Sequence, residues 1–268
     1  MSSTPRAESV ESMQQLCVAW RAMVEDHAPD ADVRDLPGVA VRWGGSAFSF
    51  WNCVTLTDEA VGVDLMRRRL DKAAGIMRAK THPGFLWVFE DLLDAEARPA
   101  LGAAAEAAGF QYAFGGIGMA GDLLPIPEPH HPDLAFVRVS TDEHLQAYAD
   151  LQARAYGLPV EDCRGGLAGS VLWKSKMHAY LALHGDTPVA CAATLPVQGR
   201  LFVAFVATDP QWQRRGYGET VTRKALYEGA RTTGLTRATL HATEAGAPVY
   251  PRIGFTANTP IHFYTLKD

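Results

Sequence analysis

The sequence is short of the features that mark specialised protein classes. It has four cysteines in 268 residues, Cys17, Cys53, Cys163 and Cys191, and no C-x-x-C pair. That spacing excludes a disulfide scaffold and a cysteine-based zinc site, and leaves four reduced, mostly buried thiols. The longest unbroken apolar run, LFVAFVA at 201–207, is far below the roughly 20 residues that cross a bilayer. Basic residues are not in excess: 25 Lys and Arg stand against 30 Asp and Glu, a net charge of −5. A protein that tracks phosphate backbones shows a basic face instead, so no nucleic-acid partner is expected. The segment MSSTPRAESVES is polar and lacks the basic-then-apolar order of a secretion signal. His130 and His131 are adjacent within a proline-rich segment, and neighbouring residues rarely converge on one metal, so no metal is expected. Together these absences describe a soluble, cytoplasmic protein with no membrane partner.

What is present is a globular chain, 47% hydrophobic, long enough for one large domain or two of about 130 residues each. Val10, Met13, Cys17, Trp20 and Val24 recur at helical spacing and predict a helix over 8–27. Strands are expected at 38–43 and 48–56, a long helix at 58–78, a strand at 85–92, a helix at 95–108 and a strand at 109–120. Four prolines, Pro125, Pro127, Pro129 and Pro132, forbid regular structure over 121–133, which reads as an interdomain linker. Beyond it come a strand at 134–140 and a helix at 141–156 with Asp142 and Glu143 in its first turn. Residues 157–166 read as a loop and 167–176 as a further helix. Strands follow at 178–185, 187–197 and 201–208, then a helix ending at Thr233 before Gly234. A strand at 237–243, a short helix at 247–253 and closing strands complete the chain. The halves echo one another: residues 52–78 can be laid over 204–231, and each copy runs on to a Gly-Phe pair, Gly109–Phe110 and Gly254–Phe255.

The second copy carries QRRGYG at 213–218, between an apolar strand and a helix. A strand that turns into a helix aims several backbone N–H groups one way, with the helix dipole behind them. Gly216 and Gly218 permit close approach, and Arg214 and Arg215 add positive charge. Known phosphate loops fit badly. The chain has no Gly-Lys pair for a P-loop, and Val221 stands where a dinucleotide fingerprint needs its third glycine. The first copy has EAVGVD after Asp58, without the arginines or the glycine pair.

VATDPQWQRRGYGETV resembles the acyl-CoA-binding motif of the GNAT N-acetyltransferase superfamily, [QR]-x-x-G-x-[GA], with Gln213, Gly216 and Gly218 as its motif residues. A second element, HATEAGAPVYPRIGF, is similar to the family stretch that ends in Tyr-x-x-x-Gly-Phe, here Tyr250, Gly254 and Phe255. The resemblance covers 134–268 well, and reaches 1–120 only through the internal echo. It implies an α/β fold, an α+β mixed sheet: two GNAT-like domains, each a mixed, splayed central sheet flanked by helices. The domains would be 1–120, a degenerate copy, and 134–268, the acetyl-CoA-binding one.

The resemblance also implies roles. Val206, Ala207 and Thr208 would bond the pantetheine arm from the end of the central strand. Arg214, Arg215, Gly216, Tyr217, Gly218 and Glu219 would wrap the pyrophosphate with Gln213. Tyr250 would protonate the departing thiolate, and the backbone N–H near Val206 would meet the oxyanion. Many relatives carry a glutamate on the central strand, but LFVAFVAT has no acidic residue. His241 and Glu244, at the end of the next strand, are the candidates for the base, with His262 a third. The acceptor loops would include 156–173, where Glu161, Asp162 and Trp173 could shape a site. The expected activity is transfer of an acetyl group from acetyl-CoA to the primary amine of a small-molecule or peptide acceptor. The alternative is a non-catalytic acyl-CoA-binding or interaction module of the same fold. A homodimer is compatible with either.

Overall fold

A computed structural model describes residues 5–123 and 126–267. In chain order the first elements are α1 (Pro5–His27), β1 (Asp32–Leu36), β2 (Val39–Trp43), β3 (Asn52–Leu56), α2 (Val63–Arg78), β4 (Phe85–Phe89), α3 (Ala97–Ala107) and β5 (Phe110–Asp122). Then come β6 (Ala135–Arg138), α4 (Asp142–Tyr156), α5 (Val160–Leu167), α6 (Val171–Lys174), β7 (His178–His184), β8 (Thr187–Val197), β9 (Arg200–Thr208), α7 (Tyr217–Thr233), β10 (Arg237–Thr243) and β11 (Thr256–Leu266). Short 3-10 turns cover Ser49–Trp51, Glu90–Leu92, Pro210–Trp212 and Ala247–Ile253.

Contacts divide the chain into two units that do not follow one cut. The first holds Met1–Met119, Ala242–Ala247 and Ala257–Asp268; the second holds Ala120–His241 and Pro248–Thr256. The expected boundary placed everything after 134 in one domain, whereas β11 joins the first unit from Ala257 onward. The expected linker also differs: 121–122 end a strand, 126–134 are irregular, and Leu124 and Pro125 lie outside the described residues.

In the first unit the strands run in the order β1-β2-β3-β4-β11-β5. β1, β2 and β3 are antiparallel neighbours, β3 and β4 are parallel, and β11 pairs antiparallel with β4, Tyr264 opposite Leu86. Val39, Val54, Leu86, Met66, Leu70, Leu101 and Phe110 form a core in which α2 and α3 cover one face. The aromatic residues of the other face meet α1, where the Trp20 and Trp87 rings lie 5.4 Å apart and Trp87 and Phe263 4.2 Å. Arg42 is only 2% exposed. The cost of burying its charge is offset because all three guanidinium nitrogens donate, to Asp35 at 2.6 Å, Cys17 O at 2.8 Å, Val41 O at 2.9 Å and Arg34 O at 3.1 Å.

In the second unit the order is β10-β9-β8-β7-β6. All neighbours are antiparallel except β9 and β10, which are parallel and joined through α7. Ala190 and Ala192 of β8 face Tyr217, Val221 and Ala225 of α7. Alternation along a strand puts Cys191 on the opposite face, where Gln152 of α4 reaches it. Helix α4 starts at Thr141, whose hydroxyl accepts the His144 N–H at 3.2 Å, and stops at Gly157 with φ +65°. The β8–β9 hairpin turns on Gln198 and Gly199, both at positive φ, as a two-residue hairpin requires.

The repeated segments share one form. β3–α2–β4 and β9–α7–β10 are each a parallel strand pair joined by a helix. Gly109 and Gly254, of the two Gly-Phe pairs, both have positive φ, +93° and +111°.

Candidate active site

Strand β9 changes character halfway. Its parallel pairing with β10 stops at Val203, opposite Leu240, while β9 itself runs on to Thr208. Residues 204–208 keep only their β8 neighbour. On that side the register slips: Cys191 is opposite Ala207, but Ala193 is opposite Ala204. Phe205 and Val206 therefore face the single residue Ala192, which is a β-bulge. Phe205 takes φ +50° to make it, a rare conformation for a residue with a side chain.

The bulge takes Phe205 O and Val206 O out of the ladder, and α4 satisfies them. Phe205 O accepts from Tyr148 Oη at 2.8 Å and Gln152 Nε2 at 2.6 Å. Val206 O accepts from Tyr156 Oη at 2.6 Å. None of these three residues stands out in the amino-acid sequence taken singly. Their spacing does: 148, 152 and 156 are four apart, one stripe of a helix. Trp173, expected at the edge of an acceptor pocket, is 1% exposed and packs on Phe205 and Tyr148 at ring distances of 5.7 and 5.8 Å. Glu161 belongs to α5, a helix where a loop is expected, and pairs with Arg164.

After Thr208, the Asp209 carboxylate accepts the Gln211 N–H at 3.0 Å and pairs with Arg154 of α4 at 2.6 Å, which fixes the turn. The chain then enters α7 through Arg214 at φ +60° and Gly216 at φ +81°. The first helical bond is Thr220 N–H to Gly216 O at 3.0 Å. The N–H groups of Tyr217, Gly218 and Glu219 precede that ladder and point out of the helix end. The two glycines are required for different reasons. Gly216 supplies the left-handed backbone. At Gly218 a Cβ would stand 2.6 Å from Thr208 Oγ1, so any side chain there must push the Thr208 hydroxyl aside for the helix end to lie against β9. Gln213 to Gly216 are exposed, and Arg215 lies over the Trp212 ring at 4.8 Å. Open N–H groups, a helix dipole and two arginines suit a pyrophosphate.

The remaining expected residues are dispersed. Tyr217 is 3% exposed, a core anchor whose ring meets Trp212 and His131. Glu219 bonds Arg223 at 2.9 Å and Arg252 at 2.8 Å. Burial pushes its carboxyl up, but the two arginines outweigh that and hold it below the ordinary glutamate range. Tyr250, in the 247–253 turn, is buried, and burial pushes its phenol up to about 12. It lies near Tyr148 and Tyr156, whose ionisation it opposes. His241 is the first residue of β10 beyond the last pair with β9, its ring 5.5 Å from that of Phe202. Glu244 falls in the first unit, beside Tyr112 and Gly115. His262, also in the first unit, pairs with Glu90 at 2.6 Å on the wall of a cavity of about 630 Å³ shared with Tyr112 and Tyr264.

Among the described residues the first unit has no open counterpart of the cradle. After β3, Val61 bonds Leu92 O and Asp94 N–H bonds Val61 O, both at 3.0 Å, so strand and loop are stitched together. Arg69 holds Asp58, and Gly62 enters α2 at φ −76° rather than in the left-handed region.

Residues 145–255 match a family model described as the Acetyltransferase (GNAT) family. The match to the GNAT acetyltransferase family is confined to this stretch, under half of the chain. Solved structures extend the GNAT fold to most of the molecule. A GCN5-related N-acetyltransferase from Kribbella flavida superposes with a TM-score of 0.67 at 16% identity, over 93% of this chain and 95% of that one. A GCN5-related N-acetyltransferase from Sphaerobacter thermophilus gives 0.58 at 13% identity, over 85% and 76%. A tandem GNAT protein from the clavulanic acid biosynthesis pathway gives 0.53 at 17% identity, over 74% and 68%. No curated protein matches the chain in sequence. The bulged, half-paired β9 and the α7 entry both lie inside the matched GNAT segment. Among the described residues no helix is long and apolar enough to cross a membrane, and no cluster of His, Cys, Asp or Glu could hold a metal.

Proposed function

We propose that the second unit moves an acetyl group from acetyl-CoA to a primary amine by direct attack in a ternary complex. The observation that carries this reading is an open helix-entry cradle directly after a strand whose last residues, 204–208, have lost one partner strand. In this reading Gln213, Arg214, Arg215 and the N–H groups through Glu219 receive the pyrophosphate, and the backbone of Val206, Ala207 and Thr208 lines the pantetheine arm. Acetyl-CoA supplies an activated thioester carbonyl. The acceptor nitrogen attacks it while His241, at the mouth between β9 and β10, takes the amine proton. The Val206 N–H meets the oxyanion. The C–S bond breaks, and Tyr250, kept protonated by burial, gives its proton to the sulfur.

Direct attack is favoured over an acyl-cysteine route by the thiols. All four cysteines are buried and free, and burial pushes Cys191, the thiol beside Phe205, up to about 12. A thiol so held is a poor nucleophile.

The test begins with binding. Acetyl-CoA is expected to raise Tm and to bind with one equivalent per chain, since a ligand at 100 times its Kd adds about 2.7 kcal/mol. No shift at millimolar acetyl-CoA would sink the reading. Thiol release is then measured across a panel of amines, with His241→Gln tested for loss of the base and Tyr250→Phe for loss of kcat. One observation favours a non-catalytic acyl-CoA-binding module: β9 carries no carboxylate. Binding without thiol release on any amine would select that alternative.

A further inference from the structure

The bulge in β9 fixes more than two carbonyl groups. In a trans peptide the C=O and the following N–H point in opposite directions. Phe205 O is held toward α4 by Tyr148 and Gln152, so the Val206 N–H of the same peptide points away from α4. The peptide is held against a real cost, because Phe205 sits at φ +50°, a conformation worth about 1–2 kcal/mol against a residue with a side chain. Both donors are buried, Tyr148 at 0% and Gln152 at 1% exposure. Burial holds the Tyr148 phenol far above the ordinary tyrosine range, so it remains a donor throughout the working pH range. Thr141 caps α4 and Arg154 ties its last turn to Asp209, so the donors stand on an element anchored at both ends.

We infer that Tyr148 and Gln152 are positioning residues for the acetyl group: by clamping Phe205 O they aim the Val206 N–H at the thioester oxygen. This rests on the reading that the second unit binds acetyl-CoA. Tyr156 acts on the next peptide, through Val206 O, and serves as a control of the same helix and the same chemistry. Neither tyrosine nor the glutamine touches a reacting atom.

The test uses acetyl-CoA labelled with carbon-13 at the thioester carbonyl, bound to the full chain and read by isotope-edited infrared spectroscopy. In the parent protein the bound carbonyl stretch is expected below that of the free molecule, the signature of a donated hydrogen bond. Tyr148→Phe and Gln152→Met should each lose about half of that shift or more, while Kd from calorimetry changes less than about threefold, because the cradle that provides affinity is untouched. Tyr156→Phe should retain the shift. If one clamp variant fails to fold, judged by its thermal transition, the other carries the measurement. A shift preserved in the clamp variants, or lost equally in Tyr156→Phe, would overturn the clamp and leave acetyl-CoA binding standing. A parent protein that does not bind acetyl-CoA would overturn the underlying reading, and the clamp with it.

Discussion

At the scale of single residues, the glycines of the α7 entry separate two physical demands. Gly216 answers a backbone angle and Gly218 a distance. Gly216→Ala is expected to cost about 1–2 kcal/mol of stability without ligand, because alanine must occupy the left-handed region. Gly218→Ala must displace Thr208, and is expected to weaken acetyl-CoA binding more than it lowers Tm. Thermal melts with and without acetyl-CoA distinguish the two; identical behaviour of both variants would refute the division. Glu219 gives a pH expectation. Its native pKa lies below its unfolded value because of Arg252 and Arg223, despite burial. Its contribution is therefore complete above the ordinary glutamate pKa of about 4.3, and is lost as pH falls through the lower native value. The acid limb of a Tm-against-pH curve should be shallower in Glu219→Gln than in the parent protein, and superimposable limbs would show that the pairs contribute nothing.

At the scale of elements, helix α4 links stability to the site. Thr141→Ala removes its N-cap and should cost about 1 kcal/mol, measured by urea denaturation; an unchanged midpoint would mean the cap is redundant. The same helix shows what the amino-acid sequence revealed. Its span was legible because Thr141, the acidic first turn and Gly157 punctuate it. Its contribution to β9 was not legible, because a bulge at Phe205 depends on the register of two strands and leaves no local signal in LFVAFVAT. Strand β1 was missed for a related reason. DVRDL is too charged to read as a strand, yet it forms the edge of its sheet, where Asp32 and Asp35 pair with Lys80 and Arg42; charge on edges protects against aggregation. Helix α5 was hidden by two glycines, Gly165 and Gly166, which lower helix propensity but are tolerated beside buried Cys163 and Leu167. The α7 entry was the most legible feature, since its glycines are fixed by local backbone chemistry.

At the scale of the whole molecule, the two units carry the same strand–helix–strand crossover with opposite outcomes. In the first, the Val61 N–H is used on Leu92 O and its carbonyl accepts from the Asp94 N–H; in the second, the corresponding groups are left at an open helix end. The partition also departs from the simple order of the chain, because β11 completes the sheet of the first unit. Ile261, Phe263 and Tyr264 are buried there, at 1%, 4% and 4% exposure. A chain stopped after Thr256 should lose cooperative unfolding of the first unit, seen as faster amide exchange in β4 relative to the full chain. Unchanged protection of β4 would mean that β11 is dispensable.

That last strand bears on how the protein is made. The two strands β4 and β11 are far apart in the chain: His262 of β11 bonds Glu90, the residue after β4, across a sequence separation of 172. A ribosome delivers roughly 5–20 residues each second, N-terminal end first. The first unit is thus synthesised early but gains β11 only after the second unit has been made, with β4 exposing an unpaired edge in the interval. The sheet this chain begins first is the one it completes last.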